Sequence, residues 1–149
     1  MAEKKSIKFE IATPERTLLK QEVLQVTIPT QSGEITVLPE HIPLVSIIKP
    51  GVIEIKTLEG DMEIISISGG FVEVLREKIV ILADTAERAN ELDESRIVEA
   101  RKTAEDAKNE AMTHENYDLS AVAARLDIEL ARERALHKWR KLKNIHPGK

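Results

Sequence analysis

The sequence predicts an α+β chain, an N-terminal antiparallel β-sandwich followed by an antiparallel two-helix hairpin, and three observations carry that prediction. Between Ile7 and Ala83, eight short runs rich in Val and Ile are separated by turn-forming residues. No helix-length pattern lies between those runs to carry parallel crossovers. After Asp84 the composition changes to Ala, Glu, Lys, Arg and Leu, which are strong helix formers, and stays so until Pro147-Gly148. A sandwich over 1–84 and a helical unit over 85–149 follow.

The predicted strands are Ile7 to Ala12, Val23 to Ile28, Glu34 to Leu38, Val45 to Ile48, Val52 to Thr57, Met62 to Ser68, Phe71 to Leu75 and Ile79 to Ala83. Pro14, Pro29, Lys49-Pro50-Gly51, Glu59-Gly60-Asp61, Gly69-Gly70 and Arg76-Glu77-Lys78 break them. Alternation sets the faces: Leu24, Val26 and Ile28 share one side against Gln25 and Thr27, and Ile53, Ile55 and Thr57 alternate with Glu54 and Lys56. Gly69-Gly70 marks a bulge or a close approach of two strands.

In the helical unit, Asp93 is placed as an N-cap or a first-turn acid, and Ile97, Ala100, Ala104, Ala107 and Ala111 form a narrow small-residue stripe at spacings of three and four. The segment from His114 to Asp118 breaks the pattern, and Asp118 caps a second helix. Leu119, Val122, Leu126 and Leu130, with Ala124, Ile128, Ala131 and Ala135, give that helix its apolar side. Residues 85–118 carry five Lys/Arg against ten Asp/Glu, net −5, and residues 119–149 carry eight against three, net +5. Opposite charge draws the helices together, whereas a seam of alanine methyls at about 25 cal/mol per Å² buries little. Two states are open on these residues: a mobile hairpin, or one packed permanently on the sandwich.

The chain has 149 residues, 42% of them hydrophobic, enough for one good core. Without cysteine there is neither a disulfide framework nor a thiolate nucleophile or metal site. A net charge of −4 and four scattered aromatics, Phe9, Phe71, Tyr117 and Trp139, argue against binding nucleic acid. No secretory leader, transit peptide or bilayer-length apolar run is seen, so a chain soluble where it is made is expected. There is no phosphate-loop pattern and no paired-histidine metal motif; His41, His114, His137 and His146 are spread over three different elements. A non-enzyme is expected, with no catalytic residue and no metal.

Three stretches carry other chemistry. From Thr30 to Leu44, a turn and a short strand lead into a corner bracketed by Pro39 and Pro43, leaving Glu34 and His41 as titratable groups in an apolar segment. It is either a contact surface or simply a well-made corner. The basic run Arg132, Arg134, Lys138, Arg140, Lys141 and Lys143 either complements the helix dipole or meets an acidic partner. Leu92-Asp93-Glu94-Ser95-Arg96 reads as a helix start or as part of a nucleotide site.

Taken in order, Gly33-Glu34 through Leu38-Pro39-Glu40-His41-Ile42-Pro43-Leu44, Lys49-Pro50-Gly51-Val52, Ser68-Gly69-Gly70-Phe71-Val72-Glu73-Val74 and Ile81-Leu82-Ala83-Asp84-Thr85-Ala86 resemble the epsilon subunit of bacterial and chloroplast F-type ATP synthases, the mitochondrial delta subunit. Thr36 and Glu40 depart from the family, which commonly has glycine at both. The resemblance implies a rotor subunit, its sandwich docked on the gamma stalk with one end on the membrane ring of c subunits. Glu34 and His41 match the ring-facing loops. It also implies a hairpin that either lies beside the sandwich or extends into the catalytic head of alpha and beta subunits and blocks ATP hydrolysis, which makes Arg132, Arg134, Lys138 and Arg140 the inhibitory-contact candidates. Some family members bind ATP in the folded hairpin; Leu92, Asp93, Arg96, Arg134 and Lys138 match, but Ile97 replaces an alanine and Thr103 an arginine, so weak or absent ATP binding is expected and no other cofactor. The implied location is peripheral, on the cytoplasmic face of a bacterial plasma membrane or the stromal face of a thylakoid.

Overall fold

The computed structural model describes residues 4–114 and 118–145; the 115–117 connection, with Tyr117, and the segment with His146 and Pro147-Gly148 lie outside the described residues. Nine strands come first: β1 (Ile7–Ala12), β2 (Thr17–Thr30), β3 (Gly33–Val37), β4 (Leu44–Ile48), β5 (Gly51–Thr57), β6 (Met62–Ile67), β7 (Gly70–Val74), β8 (Lys78–Ala83) and β9 (Ala86–Arg88). A single 3-10 turn, Ala89–Glu91, leads to α1 (Glu94–Thr113) and α2 (Leu119–Ile145).

The strands fold into two layers that share the long β2. Its first half pairs with β1 and its second half with β3 and β5. The order runs β1-β8-β7-β4-β2-β5-β6-β9. Every pairing is antiparallel except β1 with β8, where the chain returns alongside its first strand before β9 is added at the far edge. Between the layers lies a dry core in which Phe9, Ile11, Val26, Ile28, Ile53, Ile55, Ile65, Ile79 and Ile81 are fully buried. β-Branched residues suit both the pleat and the packing.

Two features differ from the pattern read along the sequence. The register shifts between Val23 and Gln25, so Val23 enters the core and Leu24 is only half-buried, although alternation put Leu24 beside Val26. β9 lies beyond the composition change at Asp84; Ala86, Glu87 and Arg88 have no intrinsic strand preference and are extended because β6 offers them a free edge.

Gly70 sits where β7 meets β8. Its φ is +145°, and a Cβ there would overlap the Leu82 carbonyl oxygen and lie 2.9 Å from the Ala83 Cα. The close approach read from Gly69-Gly70 is therefore between β7 and the end of β8.

Asp93 caps α1 by accepting from the Ser95 and Arg96 amides. The Ser95 hydroxyl, 2.7 Å from Asp93 Oδ1, and the Arg96 amide hold the carboxyl below its usual range. A depressed folded-state pKa means that the cap's contribution is present above the ordinary carboxylate range and is lost as pH falls through the lowered value. Asp118 accepts from the Ala121 amide at 3.2 Å and so caps α2. Of the stripe on α1, Ile97, Ala104 and Ala111 are buried and Ala100 and Ala107 half-buried.

Candidate functional site

Three surfaces combine position and chemistry. The first is the corner after β3. The His41 amide donates to the Leu38 carbonyl at 3.2 Å and the Glu40 amide to the Arg76 carbonyl at 3.0 Å, tying the corner to the β7–β8 turn. Leu38 and Ile42 project into solvent beside it. Glu40 has a φ of +67° without being glycine, and Lys5 reaches over to pair with its carboxylate at 2.8 Å, drawing its pKa down by hydrogen bond and charge. His41 is half-buried, its Nδ1 2.7 Å from the Ile42 carbonyl, to which it donates. Glu34 is exposed near the start of β3, opposite Pro29, so β3 separates it from His41, and no ion pair or hydrogen bond joins the two.

The second surface is the outer face of β4, β7 and β8. Ile47 lies opposite Phe71, and Phe71 opposite Leu82, so three apolar side chains form a row across three strands, with Val45 beside them. All four are exposed, Val45 at 75% and Leu82 at 60%. Scattered exposed apolar residues are ordinary, but a row in register is a patch.

The third is the seat of the hairpin. α1 packs on α2 and makes no substantial contact with a strand among the described residues, whereas α2 lies across the outer face of β5 and β6. Ala135 is fully buried there with Val52, Ile64 and Ala89, and Leu92, Trp139 and Leu142 close around them. Lys143 Nζ stands 4.5 Å from the centre of the Trp139 ring. Charges flank this small seam: Arg132 Nη2 meets Glu87 at 2.6 Å and Nη1 meets Glu129 at 2.6 Å, while Lys138 meets Glu54 at 3.3 Å. Arg140 pairs with Glu94 at 2.8 Å and Arg101 with Glu133 at 2.9 Å, binding one helix to the other. Three of the four cations singled out in the sequence are thus engaged within the chain. The fourth, Arg134, is exposed and donates to the Leu130 carbonyl of its own helix at 3.4 Å.

Beside the seat is an open cavity of about 250 Å³ lined by Leu92, Asp93, Arg96, Glu87, Glu129 and Arg132, with Glu91, Ile97 and Ala100. It gathers three of the five residues matched to a nucleotide site. Arg134 and Lys138 are absent from its lining. A glutamate on an amphipathic segment reads as solvated, so the sequence does not single out Glu87 and Glu129; the i, i+3 spacing of Glu129 and Arg132 is the one local signal of a pair. Four carboxylates face two guanidinium groups there, and Arg132 already holds two of the four. A triphosphate meets repulsion at such a site. Calorimetric titration of the isolated chain with ATP is expected to give no binding at micromolar concentrations; a micromolar Kd contradicts the expectation.

The model of the β-sandwich domain of the ATP synthase delta/epsilon chain matches residues 6–89. The chain belongs to the ATP synthase delta/epsilon family. Within it, an ATP synthase epsilon chain of Chloroflexus aggregans is 40% identical over 134 residues, covering 89% of this chain and 94% of the relative. One of Bordetella petrii is 37% identical over 141 residues, covering 95% and 99%. Among solved structures, a chain in the Euglena gracilis mitochondrial ATP synthase assembly of OSCP, F1 and c-ring aligns with a TM-score of 0.75 at 26% identity over 89% of this chain and 82% of that one. A chain in the Tetrahymena thermophila central stalk and c-ring shares the fold, with a TM-score of 0.57 at 14% identity over 91% and 99%. The epsilon-subunit resemblance, the sandwich and the helical hairpin thus hold together. No described helix is long and apolar enough to cross a membrane.

Proposed function

We propose that this chain is the non-catalytic rotor subunit of a proton-translocating F-type ATP synthase, coupling rotation of the c-ring to the gamma stalk and restraining ATP hydrolysis through its C-terminal helices. The observation that carries the proposal is a division of labour: a sandwich closed around a dry β-branched core, and a hairpin seated, among the described residues, mainly through α2 by a small seam and part-exposed ion pairs. The first suits torque and the second suits release.

The apolar row of Ile47, Phe71 and Leu82 is the face offered to the gamma stalk. Glu34 and His41 remain the candidate c-ring contacts, now with Leu38 and Ile42 as apolar neighbours of His41. Arg132, Arg134, Lys138 and Arg140 are the contacts that α2 makes with acidic segments of the alpha and beta subunits once it extends. The location that goes with this role is peripheral, and the bacterial relatives favour the cytoplasmic face of a plasma membrane. A nucleotide sensor is the second reading. Its support is the gathering of Leu92, Asp93 and Arg96 at one cavity, and the surplus of carboxylates there weakens it.

Charge reversal tests the brake. Arg134→Glu with Arg140→Glu should raise the concentration of subunit needed to half-inhibit a catalytic head by about tenfold or more, since close charge pairs across an interface are worth upwards of about 1.5 kcal/mol each. Unchanged inhibition would remove these residues from the contact.

A further inference from the structure

Arg132 and Lys138 stand on either side of Ala135 along α2, and each meets a carboxylate of the sandwich, Glu87 on β9 and Glu54 on β5. Both belong to the cation set assigned above to an acidic partner. A guanidinium or ammonium held against the sandwich cannot at the same moment face another protein. The pairs are shallow enough to exchange: the side chains of Arg132 and Glu87 are 26% and 38% exposed, those of Lys138 and Glu54 43% and 26%. Arg140–Glu94 and Arg101–Glu133 lie inside the hairpin and do not bind it to the strands.

We propose that Glu54 and Glu87 act as an internal stand-in for the acidic partner, holding Lys138 and Arg132 against the sandwich and so setting what fraction of chains has a hairpin free to act as the brake. The inference rests on the inhibitory role proposed above and adds the residues that regulate it. Two kinds of attachment hold α2, and they differ in their response to salt. The apolar seam of Ala135, Trp139 and Leu142 is insensitive to moderate salt, whereas the two part-exposed ion pairs weaken as the Debye length falls from about 30 Å at 0.01 M to about 8 Å at 0.15 M. Rising ionic strength therefore loosens the seat. Glu129 does not substitute for Glu87, because it sits on α2 itself and travels with Arg132.

The test uses the full chain carrying Glu54→Gln and Glu87→Gln, changes that keep side-chain size and leave the sandwich core untouched. Trp139 is the chain's single tryptophan and lies in the seat, so its quenching by acrylamide, a neutral probe, reports release. Against a salt series, the variant should show at low salt the Trp139 accessibility that the unaltered chain reaches only at high salt, with the released fraction raised about tenfold. Added to a catalytic head lacking this subunit, it should half-inhibit ATP hydrolysis at a several-fold lower concentration. Trp139 accessibility equal to that of the unaltered chain at every salt concentration overturns the proposal, whatever hydrolysis does. Greater Trp139 accessibility with no deeper inhibition overturns the stand-in role and places the fault in the brake itself.

Discussion

Replacing Gly70 with alanine is expected to unfold the sandwich at physiological temperature. The added methyl group meets the Leu82 carbonyl, a backbone atom in a paired strand that has nowhere to move, and the φ of +145° is one that an L side chain rarely adopts. Backbone strain of this kind costs about 1–3 kcal/mol before any steric overlap is counted. Opening β7 from β8 to relieve the overlap pulls Val72 and Ile81 apart in the middle of the core, since these two residues are cross-strand partners and both fully buried. With stabilities of roughly 5–15 kcal/mol for whole domains, the combined loss is a large share of what is available. Thermal melting followed by circular dichroism measures it. A Tm within a few degrees of the unaltered chain contradicts the account of this junction.

The second large effect is confined to the hairpin. Ala135→Glu places a carboxylate at a fully buried position in an apolar cluster with Val52, Ile64 and Ala89, and the flanking cations Arg132 and Lys138 are already paired with Glu87 and Glu54. An uncompensated buried charge costs on the order of 3–5 kcal/mol. That exceeds what two part-exposed ion pairs return at up to about 1 kcal/mol each. The hairpin should therefore leave the sandwich while both helices persist, because glutamate is nearly as good a helix former as alanine. The expected signature is a red-shifted, quencher-accessible Trp139 with strand and helix signals retained. An unmoved Trp139 spectrum contradicts the seat as described.

Most of the sandwich was legible because its signals are local. Runs such as Val52 to Thr57 and Ile79 to Ala83, each bounded by turn residues, match the observed strands to within a residue or so. Thr17–Glu22 and Ala86–Arg88 were not legible, since neither carries a strand preference and both are extended through pairing with β1 and β6. A register shift such as that at Val23–Gln25 is likewise a property of two strands together. On α2, the residues read as its apolar side include Leu119 and Ala124, which are exposed, and omit Leu136, Trp139 and Leu142. The helix has two neighbours, α1 and the sheet, and a single hydrophobic stripe cannot describe both.

The candidate contacts were legible as residue types and not as arrangements. The basic run on α2 announces a taste for carboxylates, yet nothing in its spacing says that Glu54 and Glu87, far away along the chain, supply them. The corner of Pro39 and Pro43 was recognisable, while the pairing of Lys5 with Glu40 depends on where the N-terminal segment crosses the loop.

The most direct measurement is the ATP hydrolysis rate of a catalytic head lacking this subunit, after adding either the full chain or one ending at Leu92, with binding of each followed in parallel. Ending at Leu92 keeps β9 paired to β6, which a chain cut at Thr85 would lose. A sandwich that anchors and a hairpin that brakes predict that both chains bind and that only the full chain slows hydrolysis. Equal slowing by both, or binding of the full chain without any slowing, contradicts it.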